Sequence, residues 1–159
     1  MKRSIFVVLI FGFLFLGCVT TPPESLPNAQ TVKIIDTGKP ASDAFDLAMQ
    51  WMNKSFVSAK NVIQYTDKVS GMITGKASMP ISETFLGKVG IVYTMSIEIK
   101  DSKARIIVDP VEMVTTLYDP RYAPTIGPLN KPMLDKFKSQ IETTISSLTS
   151  FIQNNTSNW

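Results

Sequence analysis

Residues 88–100 read KVGIVYTMSIEIK, and residue type alternates along the whole stretch. Val89, Ile91, Tyr93, Met95, Ile97 and Ile99 fall on one side of an extended chain. Lys88, Gly90, Val92, Thr94, Ser96, Glu98 and Lys100 fall on the other. A period of two marks a half-buried β-strand. Such a strand belongs in an antiparallel sheet, with one face against a core and the other facing water or a partner.

The neighbouring segments extend this sheet. Asp101-Ser102 supplies a hairpin turn, and Lys103 to Thr116 returns as a long strand in which Ala104, Ile106 and Val108 alternate. Pro110 cannot donate to the ladder, so Asp109-Pro110 predicts a bulge or an edge. Upstream, Asn61–Thr66 and Ser70–Ala77 read as strands joined by a turn at Asp67-Lys68. Gly71 and Gly75 share a face with Ile73, which would let a helix pack closely on the sheet. Gly75-Lys76 lacks the surroundings of a phosphate-binding loop. Thr31–Asp36 is a further short strand, ended by Thr37-Gly38-Lys39-Pro40.

Two helices complete the pattern. Ser42 is placed to cap the first, over about 42–55, with Asp43 suited to its positive end. Ala44, Phe45, Ala48, Trp51, Met52 and Phe56 recur at helical spacing and make a core stripe rather than a cofactor box. The second helix spans 131–153, with Asn130 as N-cap and Pro132 in its first turn. Leu134, Phe137, Ile141, Ile145, Leu148 and Ile152 form its apolar stripe. The fold class is α+β, in the order β-α-β-β-β-β-α. Both helices cover one face of an antiparallel sheet. The other face, with Thr74, Lys76, Thr94, Ser96 and Glu98, is left open. Tyr118–Lys131 is a long loop containing Pro120, Pro124 and Pro128. Tyr118, Arg121 and Tyr122 are its binding candidates. The alternative is a connection that packs its tyrosines over the sheet edge.

At 159 residues the chain holds one domain plus extensions. It has no histidine and one cysteine, which removes the commonest general base, intrachain disulfides and thiolate zinc clusters. No cofactor and no metal are expected. Lys2 and Arg3 are two of the 16 basic residues, so without them 14 face 13 acidic ones, and these are scattered. That balance speaks against nucleic acid as a partner.

The one cysteine, Cys18, ends an apolar run from Ile5 to Leu16 that follows Lys2-Arg3. Twelve helical residues reach about 18 Å, short of the roughly 30 Å a membrane span needs. A signal peptide fits better. Gly17-Cys18 resembles the lipobox of bacterial lipoproteins, although Phe15 and Leu16 stand where that family has Leu and a small residue. The resemblance implies diacylglyceryl transfer to the Cys18 thiol and cleavage before Cys18. The other reading is an ordinary signal peptide or uncleaved anchor with an incidental cysteine. Residues 19–30, VTTPPESLPNAQ, make a proline-rich spacer. The expected organisation is a signal peptide at 1–17, a tether at 18–30 and one α+β domain at 31–154. Val19 is not the Asp that retains some lipoproteins in the inner membrane, which points to the outer membrane.

The domain itself resembles a family of unknown function in bacterial envelope proteins, described as having a TATA-binding-protein-like fold. The resemblance is carried by Phe45, Ala48 and Trp51 with Phe56, and by Asn61-Val62-Ile63-Gln64. It continues through Gly71-Met72-Ile73 with Gly75-Lys76, and through Ile97-Glu98-Ile99-Lys100-Asp101 with Arg105. It covers about residues 41–117 and implies the same β-α-β4-α layout. It implies no activity, no catalytic residues and no DNA binding.

The expected function is a lipid-anchored envelope protein, not an enzyme, that binds a protein or peptide. Its candidate surfaces are the open sheet face and the Tyr118–Tyr122 loop. The membrane is a second partner, through lipid on Cys18. One alternative is an accessory or structural subunit of an envelope complex. Another is a carboxylate-dependent hydrolase using Glu98, Asp109, Glu112 or Asp119. Asp109 and Glu112, three apart on a strand, would point to opposite faces unless a bulge intervened.

Overall fold

The long alternating strand lies at the centre of the molecule, flanked on both sides by strands that match its length. A computed structural model describes residues 29–56 and 63–156. Cys18, residues 19–28 of the proline-rich spacer, Asn61 and Val62 lie outside the described residues, while Ala29 at the spacer's end packs against the core. The elements are β1 (Thr31–Asp36), α1 (Ala41–Ser55), β2 (Ile63–Asp67), β3 (Met72–Thr84), β4 (Gly87–Lys100), β5 (Lys103–Leu117), β6 (Thr125–Gly127) and α2 (Lys131–Asn154). All strand pairs are antiparallel, in the order β1-β5-β4-β3-β2, with β6 also paired to β5. The β-α-β4-α reading therefore holds, with one three-residue strand added inside the predicted 118–131 loop.

The alternation fixes which face is buried. Ile91, Tyr93, Met95, Ile97 and Ile99 of β4 join Ile73 and Ala77 of β3 and Ala104, Ile106 and Val108 of β5 under the helices. From α1 come Ala44, Phe45, Leu47, Ala48, Trp51 and Met52, and from α2 the whole predicted stripe from Leu134 to Ile152. Trp51 ties the helices together by donating from Nε1 to Ser147 Oγ at 3.2 Å. Its ring meets Phe56 edge-on at 5.6 Å.

Local chemistry explains most boundaries and corrects three. Asn130 caps α2 as expected, its Oδ1 accepting from the Met133 amide at 3.1 Å, a contact worth about 1 kcal/mol. Ser42 does not cap α1. The helix begins one residue earlier behind Pro40, whose backbone carbonyl accepts from the Ala44 amide, and Ser42 Oγ turns to Asp43 instead. Asp67 belongs to β2, and the turn follows it, with Asp67 Oδ1 accepting from the Val69 amide at 2.9 Å. β3 runs on past Ala77 to Thr84. Gly71 does not make room for a helix. It sits in the β2–β3 turn at φ +70°, against the backbone of Ile99.

The Asp101-Ser102 turn carries positive φ at both residues, 50° and 62°, the backbone that a two-residue hairpin requires. At Pro110 the expected bulge is present. Val92 pairs with Glu112 while Tyr93 pairs with Pro110, so Val111 is the extra residue. Pro110 also falls between the stretch of β5 that pairs β1 and the stretch that pairs β6. No ladder amide is missed at that position.

α2 covers only part of this sheet. Its first turn lies near Met113, where Asn130 Nδ2 contacts the sulfur, and its last turn reaches Asp36, whose carbonyl accepts from Gln153 Nε2. The β3–β4 turn and the end of β5 extend beyond the start of α2 as an overhang.

Candidate functional site

Cross-strand register assembles the open face row by row. Ile34, Arg105, Glu98 and Met72 form one row across β1, β5, β4 and β3. Val32, Ile107, Ser96 and Thr74 form the next, and Asp109, Thr94 and Lys76 the third. Lys76, Thr94, Ser96 and Glu98, the residues expected there, are thus neighbours on one surface. Ser96 Oγ and Thr74 Oγ1 share a hydrogen bond at 3.1 Å. Arg105 donates from Nε to Glu98 Oε2 at 2.8 Å, and its Nη2 contacts the same oxygen. Lys76, Lys100 and Lys103 make no ion pair among the described residues. At the β4–β5 turn end the face sinks into a depression of about 500 Å³, lined by Ile34, Glu98, Lys100, Asp101, Lys103 and Arg105.

Sequence reasoning missed the apolar margin of this face. Val32 and Ile34 are 54% and 66% exposed. In TVKIID either alternate set could face the core. The β1–β5 register settles it by opposing Ile35 to Ala104 and Ile34 to Arg105. Lys33 therefore falls on the helix side, where it pairs with Glu142 of α2 at 2.5 Å.

The Tyr118–Tyr122 group lies elsewhere, at the overhanging tip. Asp119 holds Arg121 through its own carboxylate, with Nη2 to Oδ2 at 2.6 Å and Nε to Oδ1 at 3.0 Å. That hydrogen bonding keeps the Asp119 carboxyl below its ordinary range. Tyr118 donates its hydroxyl to Glu83, which raises its pKa. The tip and the open face are separate surfaces.

The carboxylates expected on opposite faces are on the same one. Asp109 pairs with Thr94 and Glu112 with Val92, and both partners face the open side. The bulge at Val111 turned Glu112 over. No group of three or more His, Cys, Asp or Glu able to hold a metal occurs among the described residues.

A second cavity, of about 370 Å³, lies between the helices and β3, lined among others by Trp51, Phe56, Met79, Tyr93, Thr144 and Ser147. Among the described residues, none of its lining side chains carries a charge at neutral pH. Tyr93 is 1% exposed, and desolvation pushes its pKa from 10 up to about 12. The neutral phenol is the form the fold accepts. Its contribution is complete below pH 10 and fades as pH rises from 10 towards 12, when the unfolded chain ionises first. Two pH units correspond to about 3 kcal/mol. Denaturant titrations across pH 9–12 should show stability falling over that window, and Tyr93→Phe should flatten the fall. An identical slope in the variant would contradict the assignment.

The architecture is that of an α+β domain with two helices on one face of an antiparallel sheet and an open surface on the other. The chain belongs to the DUF4468 family, described as a domain of unknown function with TBP-like fold, which residues 31–112 match. Among solved structures it is similar to a TBP-like protein from Parabacteroides distasonis ATCC 8503. That pair is 16% identical, with a TM-score of 0.60, covering 80% of this chain and 95% of the other. A DUF4468 family protein from Bacteroides ovatus ATCC 8483 aligns with a TM-score of 0.49 at 14% identity, over 77% of this chain and 82% of that one. No curated protein matches the chain in sequence.

Proposed function

We propose that the chain is a lipid-anchored protein of the bacterial envelope, held at the outer membrane through Cys18. In this reading its domain binds a protein or peptide on the open sheet face and performs no chemistry. The observation that carries the reading is the open face itself. It joins an exposed apolar margin at Val32 and Ile34 to a polar centre at Thr74, Thr94 and Ser96, with lysines unpaired among the described residues around it. Apolar contact beside hydrogen-bonding groups is the make-up of a protein interface. Its mixed charges, with Asp36, Asp109 and Glu112 near Lys76, Lys100 and Lys103, are unlike the single-sign field that phosphate backbones require.

The test is site-specific photocrosslinking in intact cells. A photoreactive residue at Ser96 should give an adduct of defined mass that disappears when Lys76→Glu and Glu98→Lys are added. The same residue at Ser139, on the exposed side of α2, should not give it. Equal adducts at both sites, or an adduct indifferent to the charge changes, would overturn the binding surface. Intact mass separates the anchor: the native chain should carry acyl mass that Cys18→Ser lacks.

A further inference from the structure

We propose that the overhanging tip of the sheet is a membrane-contacting surface, inserted into the lipid interface beside the anchor. This rests on the anchoring of Cys18 proposed above. The tip is built from two loops. One is the β3–β4 turn, with Phe85 90% and Leu86 61% exposed. The other leaves β5 at Leu117 and carries Tyr118 and Tyr122, 50% and 57% exposed. They are joined by a hydrogen bond from the Tyr118 amide to the Leu86 carbonyl at 3.0 Å.

Among the described residues, Phe85 takes no part in the core. Thr84 Oγ1 accepts from the Leu86 amide and donates to the Gly87 carbonyl, so threonine and backbone make the turn. Turns of this kind ordinarily hold Gly, Asn, Asp or Ser, and contiguous exposed apolar groups mark an interaction surface. Phe, Leu and two Tyr in one place suit the water–lipid boundary, where amphipathic aromatic rings collect. The nearby charges cancel. Lys88 opposes Glu83 in the ladder, and Arg121 is paired to Asp119. The attraction is therefore apolar and should withstand salt.

The direction of the chain selects a bilayer as the occupant. β5 runs towards the tip and β1 runs antiparallel to it, so the N-terminal end of β1 points tipwards. Thr31 pairs with Val108, and Ala29 packs on the core just beyond it. From that level to Leu117 the sheet extends about 25–30 Å. The chain between Cys18 and Ala29 can reach up to about 36–40 Å. A lipid on Cys18 and the apolar tip can therefore meet one membrane plane. The opposite end of the sheet, marked by the fully exposed Val69, would stand some 40 Å farther off.

The experiment uses the full chain, extracted from membranes and reconstituted in phosphatidylethanolamine–phosphatidylglycerol vesicles. Phe85→Cys and Val69→Cys are each labelled with a nitrobenzoxadiazole fluorophore. Both positions are exposed, so neither variant threatens folding. Emission at position 85 should shift to the blue, be quenched by spin-labelled lipid and stay so in 1 M NaCl. Emission at 69 should remain aqueous. Matching aqueous spectra at both positions overturn the proposal. So does a blue shift at 85 that spin-labelled lipid leaves unquenched, because a second copy or another protein then covers the tip. Failure of the anchor is read separately: an acylated Cys18 takes no label, so labelling of the unsubstituted chain would show a free thiol and remove the basis of the proposal.

Discussion

Phe137→Ala should remove about 3–5 kcal/mol of stability and lower the melting temperature by roughly 10–20 °C. Phe137 is fully buried in the second turn of α2, where its ring meets Tyr93 at 5.3 Å with the planes tilted by 59°. Truncation removes the transfer energy of the ring and the aromatic pairing, and leaves a void between α2 and β4. Neither element can close on it, because α2 is held at both ends, by the Asn130 cap and by Gln153 on Asp36. Against a total of about 5–15 kcal/mol for a domain of this kind, the loss is a large share. Phe85→Ala is the matched comparison. The same deletion at a side chain 90% exposed should change stability by less than about 0.5 kcal/mol. Chemical denaturation of both variants checks the pair. A Phe85→Ala loss as large as that of Phe137→Ala would mean that the tip packs against something in the folded chain.

The same two residues show what the sequence makes legible. Phe137 sits in a stripe that repeats at three- and four-residue steps for most of a 24-residue helix. Each neighbour in that stripe restates which way the helix faces. β4 is equally explicit, because its period of two persists from end to end. Phe85 has no such neighbours. Ser78–Thr84 breaks the alternation at Pro80, and the register with β4 slips between Pro80 and Ser82. Pattern alone therefore stops β3 too early and leaves the tip unseen. β6 has three residues, too few for any period, and exists because Met113–Thr115 offers it a free edge. The candidate site divides in the same way. Lys76, Thr94, Ser96 and Glu98 follow from the β4 alternation and its hairpins. Val32 and Ile34 depend on register with β5, a relation between distant segments that no local window contains, and Glu112 is turned over by the one extra residue of the bulge opposite β4.

Gly71→Ala should cost more than about 3 kcal/mol, an amount exceptional for adding one methyl group. The reason is a coincidence of two constraints. At φ +70° the backbone lies in the left-handed region, which costs an L-residue about 1–2 kcal/mol. A Cβ there would also stand 2.2 Å from the carbonyl oxygen of Ile99 and 3.2 Å from its carbon. Those are backbone atoms at the end of the central strand, so no side chain can rotate away. The Ile99 amide donates to the Gly71 carbonyl at 2.9 Å, so relief by separation would break that bond as well. Gly38 isolates the two terms. It has nearly the same φ, +62°, with nothing within 4 Å of the position a Cβ would take. Gly38→Ala should therefore show the conformational cost alone, about 1 kcal/mol. The difference between the variants measures the approach of the β2–β3 turn to β4. Equal losses would mean that the turn can lift from Ile99 freely. In that case the register of β3 would be set by the β3–β4 ladder and not by this contact.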